Sequence, residues 1–238
     1  FEVDQQLGFV TIPEGSIAFN LLSDLTPQLG GNLDVNGREI VTDAGNENIV
    51  LNPHGTGVVD IQSEATINSV TVGRGAGDVA TNTVVGNNAL DANTTGSSNT
   101  AIGDEALTSN TTGSKNVAIG VEALEKNIGA ENNTAVGYRA LEENTIGGAN
   151  TAVGMNALDA NITGSSNVAL GMSSLSSSTT AGSNTAVGRS ALEVNTTGNN
   201  NVAVGAYALD ANTTANNNTA VGYNSLGANT TGASNVAL

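Results

Sequence analysis

The chain has 238 residues, 38% hydrophobic but only 3% aromatic, with 30 Gly, no Trp and no Cys. So few large side chains exclude an ordinary, deeply cored domain, and the strict spacing of the apolar residues excludes disorder. A formal net charge of −16 with only 6 Lys and Arg opposes nucleic-acid binding by phosphate neutralisation and opposes an anionic membrane surface. The lack of Cys rules out disulfides and thiolate metal sites. No apolar run reaches the roughly 18 residues of a membrane-spanning helix, so membrane insertion is not expected, and no signal-peptide pattern opens the chain.

Residues 1–25 are mixed and read as an N-terminal connecting segment. Residues 26–68 read as a hairpin-rich neck. In it, Asn36-Gly37 turns between "LDV" and "REIV", and Pro53-His54-Gly55 turns before "GVVDI". His54 is the only His; between Pro and Gly it reads as an exposed turn residue, and Ser–His–Asp chemistry would rest on it alone. The "GRGAG" of 73–77 lacks the order of a phosphate loop and any following helix, so it reads as a turn. Residues 69–81 read as a shortened first coil.

From Asn82 onward the chain repeats. The opening Asn recurs at Asn99, Asn116, Asn133, Asn150, Asn167, Asn184, Asn201, Asn218 and Asn235, always 17 residues apart, giving nine gapless copies and the start of a tenth. The template is N-T-A-V-G-x-x-A-L-x-x-N-T-T-G-x-x. Position 5 is Gly in every full copy: Gly86, Gly103, Gly120, Gly137, Gly154, Gly171, Gly188, Gly205 and Gly222. Position 9 is always Leu: Leu90, Leu107, Leu124, Leu141, Leu158, Leu175, Leu192, Leu209 and Leu226. Position 4 is aliphatic, as at Val136, Val153, Val187, Val204 and Val221. Position 12 is Asn except at Ser178. The chain opens at Phe1 and breaks off mid-repeat at Leu238, so it is expected to continue at both ends.

A 17-residue period is too short for a paired-helix repeat, which needs about 33–47 residues, and Gly, Asn and Thr disfavour a continuous helix. It suits an all-β fold, one coil of a β-solenoid per repeat. Positions 1–5 are expected to form one strand and positions 8–12 a shorter second strand, with turns at Gly and Asn. Each position then stacks on its own copy at roughly 4.8 Å. Val at position 4 and Leu at position 9 are expected inside the coil, and the Asn residues at positions 1 and 12 are expected to form amide ladders. Alternation then sends the small residue at position 3, such as Ala135 and Ala152, outward. That stripe is the expected contact of a trimer.

"NTAVGYRAL", "NTTGSSNTAIGDEAL" and "NTTGNNNVAVGAYAL" resemble the head repeats of trimeric autotransporter adhesins. They are more similar still to the N-T-A-[VI]-G-x-x-A-L repeats of phage tail fibres. "TPQLGGNLDVNGREIV" and "NIVLNPHGTGVVDI" resemble segments of marine tailed-phage fibres. The 17-residue period departs from the shorter adhesin-head coil, which requires a longer turn here. The resemblance implies a left-handed β-roll-like solenoid over 69–238, intertwined as a homotrimer. It implies a virion structural role without catalysis or cofactor: a rigid spacer or adhesin in a tail fibre. Its partners would be other tail proteins and a host-surface receptor, a polysaccharide or outer-membrane component. The alternative is a bacterial cell-surface adhesin. A solenoid polysaccharide lyase is disfavoured by the scarcity of aromatic sugar platforms.

Three surface columns remain. Position 10 is acidic at Asp91, Glu125, Glu142, Asp159, Glu193 and Asp210; a solvated stripe is the preferred reading, and relief of repulsion by Ca²⁺ or Mg²⁺ the alternative. The "NTT" tracts read as turn and ladder hydrogen bonds rather than an ice-binding face, because adjacent Thr residues in a strand point oppositely. Positions 6 and 7 vary, carrying Tyr138, Arg139, Met155, Arg189, Tyr207 and Tyr223, and are the candidate recognition surface.

Overall fold

The computed structural model describes residues 2–4, 9–11, 65–67 and 70–238. It divides into two units, Phe1–Val59 and Asp60–Leu238. In the first, β1 (Glu2–Asp4) pairs antiparallel with β2 (Phe9–Thr11). The turns expected at Asn36-Gly37 and at His54 lie outside the described residues.

The second unit is a β-solenoid. One three-residue strand per coil runs from β5 (Thr83–Val85) through β6 (Thr100–Ile102), β7 (Val117–Ile119), β8 (Thr134–Val136), β9 (Thr151–Val153), β10 (Val168–Leu170), β11 (Thr185–Val187) and β12 (Val202–Val204) to β13 (Thr219–Val221). A two-residue β14 (Val236–Ala237) follows. All ten lie parallel in one sheet, each residue opposite its copy: Thr134 faces Thr151, Ala135 faces Ala152, Val136 faces Val153.

The second strand expected at positions 8–12 is not there. Positions 6–11 are consecutive turns, because positions 7 and 9 are left-handed: φ is 55° at Arg139 and 55° at Leu141. Every position-9 Leu shares this conformation, which costs an L-residue roughly 1–2 kcal/mol. Burial offsets it, since Leu90 to Leu209 are 0% exposed and each such side chain contributes about 1.5–3 kcal/mol. The turns still bond between coils, as in Arg139 N–H to Val121 O at 3.0 Å and Leu141 N–H to Ala157 O at 3.1 Å.

The faces of the strand are the reverse of those expected. Position-3 alanines point inward, with Ala101 through Ala220 at 0% exposure. Position-4 residues point outward: Ile102 is 37% exposed, Val153 38%, Val204 36% and Val221 38%. The interior already holds a Leu and two carboxamides per coil, which leaves room for a methyl group but not an isopropyl group. Small-residue contact between chains through the position-3 stripe is therefore corrected, because that stripe is core.

Both Asn columns are buried. At position 12 each carboxamide donates to the carboxamide oxygen one coil back: Asn110 to Asn93 at 3.1 Å, Asn127 to Asn110 at 2.7 Å, Asn144 to Asn127 at 3.1 Å. At position 1 the side-chain oxygen instead accepts the next coil's backbone N–H, as Asn116 Oδ1 does from Asn133 at 2.9 Å. The two amides of a coil converge on one carbonyl. Gly147 O accepts from Asn133 at 2.9 Å and Asn144 at 3.0 Å. Ser178 interrupts the position-12 column, leaving its own Oγ and the Oδ1 of Asn161 buried without a partner.

Residues 69–81 are not a shortened coil. β3 (Ala65–Ile67) and β4 (Val70–Gly73) form an antiparallel hairpin, and β4 is antiparallel to β5. A single 3-10 turn, Ala76–Asp78, follows. Together they cap the first coil: Gly86 N–H bonds Thr71 O at 2.9 Å, and Ala76 N–H bonds Leu90 O at 3.1 Å. Val84, the one larger residue at position 3, sits opposite Gly73, which frees the volume it needs.

The position-5 Gly is required twice over. Gly137 has φ +135°, and an added Cβ would lie 2.6 Å from Gly154 O. Gly137→Ala is expected to destabilise the chain by about 3 kcal/mol or more, read by chemical denaturation followed by circular dichroism. Ser178→Asn is expected to stabilise it by about 1 kcal/mol by closing the ladder, read in the same assay. A neutral or destabilising result would show that the gap is not a defect.

Candidate functional surface

With positions 1, 3, 8, 9, 12 and 15 inside, the outer surface is built from five columns, one of them the turn at positions 16 and 17. The strand face carries positions 2 and 4. The turn beside it carries 6 and 7, the next segment 10 and 11, and the Thr tract 13 and 14.

The Thr tract is used by the fold. Position-13 hydroxyls donate to the carbonyl of the same position one coil on, as Thr94 does to Thr111 O at 2.8 Å and Thr145 to Ile162 O at 3.0 Å. The "GRGAG" segment is the end of β4 and the cap, with Arg74 paired to Asp78 at 3.2 Å.

The acidic charge is densest where Glu125 and Glu142 of this column meet Glu122 of position 7, one carboxylate oxygen of each lying within 4.8 Å of the others. Arg139 sits among them. Its Nη2 donates to Glu142 Oε1 at 2.6 Å, and its Nε lies 2.5 Å from Glu142 Oε2 and 3.1 Å from Glu122 Oε2. The bond to Glu142 holds the guanidinium pKa above its ordinary value. Lys126 pairs with Glu143. The repulsion of stacked carboxylates is thus relieved here by two cations of the chain itself. Glu125 and Asp159 lack such partners. Burial, then the charge of Glu142, pushes the Glu125 carboxyl up. Burial pushes Asp159 up, and its Oδ1 is buried without a partner.

The variable columns hold two small clusters. The Arg139 guanidinium lies 5.9 Å from the Tyr138 ring. Arg189 lies 5.7 Å from the Tyr207 ring, which meets Tyr223 edge-to-face at 5.9 Å. Tyr138 and Met155, both 47% exposed, belong with Val121 to a short apolar run at position 6. Arg139 is thus set apart from the other recognition candidates, because its charge is spent on the acidic column.

The largest feature was missed at the sequence level. Positions 2 and 4 make an uncharged stripe of Thr, Val, Ile and Leu along the whole parallel sheet. The signal was present in parity: position 1 is Asn and position 3 is small, so 2 and 4 share the other face.

Comparison with protein-family models, curated proteins and solved structures finds no match.

Raised carboxyl pKa values carry a sign. The fold favours the protonated form of Asp159, so its stabilisation is present at low pH and lost as pH rises through the raised value. Asp159→Asn is therefore expected to melt at a higher temperature than the parent at pH 7, the difference shrinking toward pH 4. A constant difference across that range would sink the assignment.

Proposed function

We propose that the chain is a rigid shaft segment of a surface fibre, most similar in kind to a tailed-phage fibre, that holds an attachment end away from the particle. The observation that carries this reading is mechanical. Every coil is tied to the next by the same kind of backbone bonds and by a buried amide column at position 1, joined by a second at position 12 that is broken only at Ser178, without insertion over nine repeats. Deforming the rod at any coil breaks several bonds at once, so stiffness follows from the repeat itself. The described coils span roughly 45 Å at the strand spacing. The acidic outer columns keep such rods apart and soluble. Assembly as a homotrimer with other fibre proteins, and contact with a host-surface receptor, belong to the same proposal.

Labelling with an antibody raised against residues 82–238 tests it, read by electron microscopy of particles and cells from the source culture. Label on thin appendages of virions is the expected result. Label on a cell envelope favours the bacterial adhesin, and label confined to the cell interior overturns a surface fibre altogether.

A further inference from the structure

Ser178 stands where every other repeat has its position-12 Asn. In a regular coil that carboxamide donates twice: Asn144 bonds the Asn127 carboxamide oxygen at 3.1 Å and Gly147 O at 3.0 Å. Around Ser178 the two corresponding acceptors are Asn161 Oδ1 and Ala181 O. Asn161 Oδ1 has no partner in the chain. Ala181 O accepts from Asn167 at 2.8 Å, whereas its equivalents Gly147 O and Gly164 O each accept from two carboxamides. The Ser178 hydroxyl is a third group without a partner in the chain. Asn161, Ser178 and Ala181 are all fully buried.

The two acceptors converge on one point. A Cβ added at Gly164 would meet Ala181 O and Asn161 Oδ1 together. A Cβ added at the equivalent Gly113 would meet Ala130 O and Asn110 Oδ1, and also the Asn127 Nδ2 that bonds them both, at 2.8 Å. We propose that one structural water is bound at the corresponding point beside Ser178, in the role of the amide nitrogen. It donates one hydrogen to Asn161 Oδ1 and the other to Ala181 O, and it accepts from the Ser178 hydroxyl. Those are about as many bonds as a buried water usually makes.

Size and charge select the ligand. A Ser side chain is two non-hydrogen atoms smaller than that of Asn, which suits a single water and nothing larger. The repeat 167–183 carries no charged residue, so a cation among these oxygens would be an uncompensated buried charge, far costlier than a neutral donor. The other buried serine of this coil marks the contrast: Ser174 donates to Gly171 O at 2.9 Å and needs no solvent molecule. The position-12 column is thus continued at Ser178 by a bound water that satisfies the acceptors on the Asn161 side. This inference concerns the interior of the rod and stands apart from the fibre reading.

The sign of Ser178→Ala tests it. A buried hydroxyl without any partner is a liability, so its replacement by a methyl group would raise the chemical-denaturation midpoint or leave it unchanged. A hydroxyl that holds a water gives up a bond on replacement, and the midpoint is expected to fall. Ser178→Asn does not separate the two cases: the carboxamide closes the ladder in either, and in the second it also frees an ordered water. A crystal structure of the full chain that resolves ordered solvent gives an independent reading on the parent protein. One solvent peak within hydrogen-bond distance of Asn161 Oδ1, Ala181 O and Ser178 Oγ is expected, and its loss in Ser178→Asn. A raised or unchanged midpoint in Ser178→Ala overturns the inference, as does a map of the parent without that peak. Neither result touches the labelling outcome that decides the fibre reading.

Discussion

A buried carboxamide in a thin coil has no water and few neighbours; its natural partner is its own copy one coil away. That constraint organises the solenoid. At position 12 the chain of amide-to-amide bonds from Asn93 to Asn161 is continuous only if each coil repeats at the same height and angle. A single inserted residue would strand a polar group in the interior, at a cost of about 1–3 kcal/mol for each group left unmade. The gapless 17-residue period is the sequence form of that penalty. Ser178 shows the tolerance: one missing rung orphans two atoms and the coils continue.

The same constraint sets the size of everything else inside. Two carboxamides and a Leu fill most of each coil, so the inward residue of the strand must be Ala. The Leu itself must be turned inward by a left-handed backbone at position 9. The segment from 6 to 11 thereby trades strand geometry for turns, and keeps its coil-to-coil hydrogen bonds. Stability comes from repeated small gains rather than from one core, and is carried by contacts between neighbours.

The period, the solenoid, the Leu column and the two amide columns were legible because each depends on recurrence, which a sequence displays directly. Three features were not. Which face of the strand is buried depends on the volume left by residues elsewhere in the coil. Val136 therefore looked like core and Ala135 like surface, when the carboxamides reverse the choice. The left-handed Leu gives no local signal, because positive φ is associated with Gly and Asn. The strands β3 and β4 of the cap resemble a strand of the coil, and only their pairing direction distinguishes them. The variable columns were correctly placed outside, but Arg139 is held by Glu122 and Glu142 across coils, a contact that spacing alone does not rank above solvent.

Variation and constancy separate cleanly once the faces are known. Constancy inside the coil follows from packing and needs no further cause. Constancy outside does need one, since a solvated position drifts freely, as 6, 7 and 11 do. The position-10 column is acidic in six of nine coils, and Arg139 balances the charge of one of its members, Glu142. The position-2 and position-4 file has no such internal explanation. Its side chains reach past the backbone ladder, which is already satisfied by the neighbouring coils, and their β-branching favours the strand without requiring Val, Ile or Leu at every coil. The constancy of that file, aliphatic at position 4 and Thr or Val at position 2, is therefore not required by packing or pairing inside the chain.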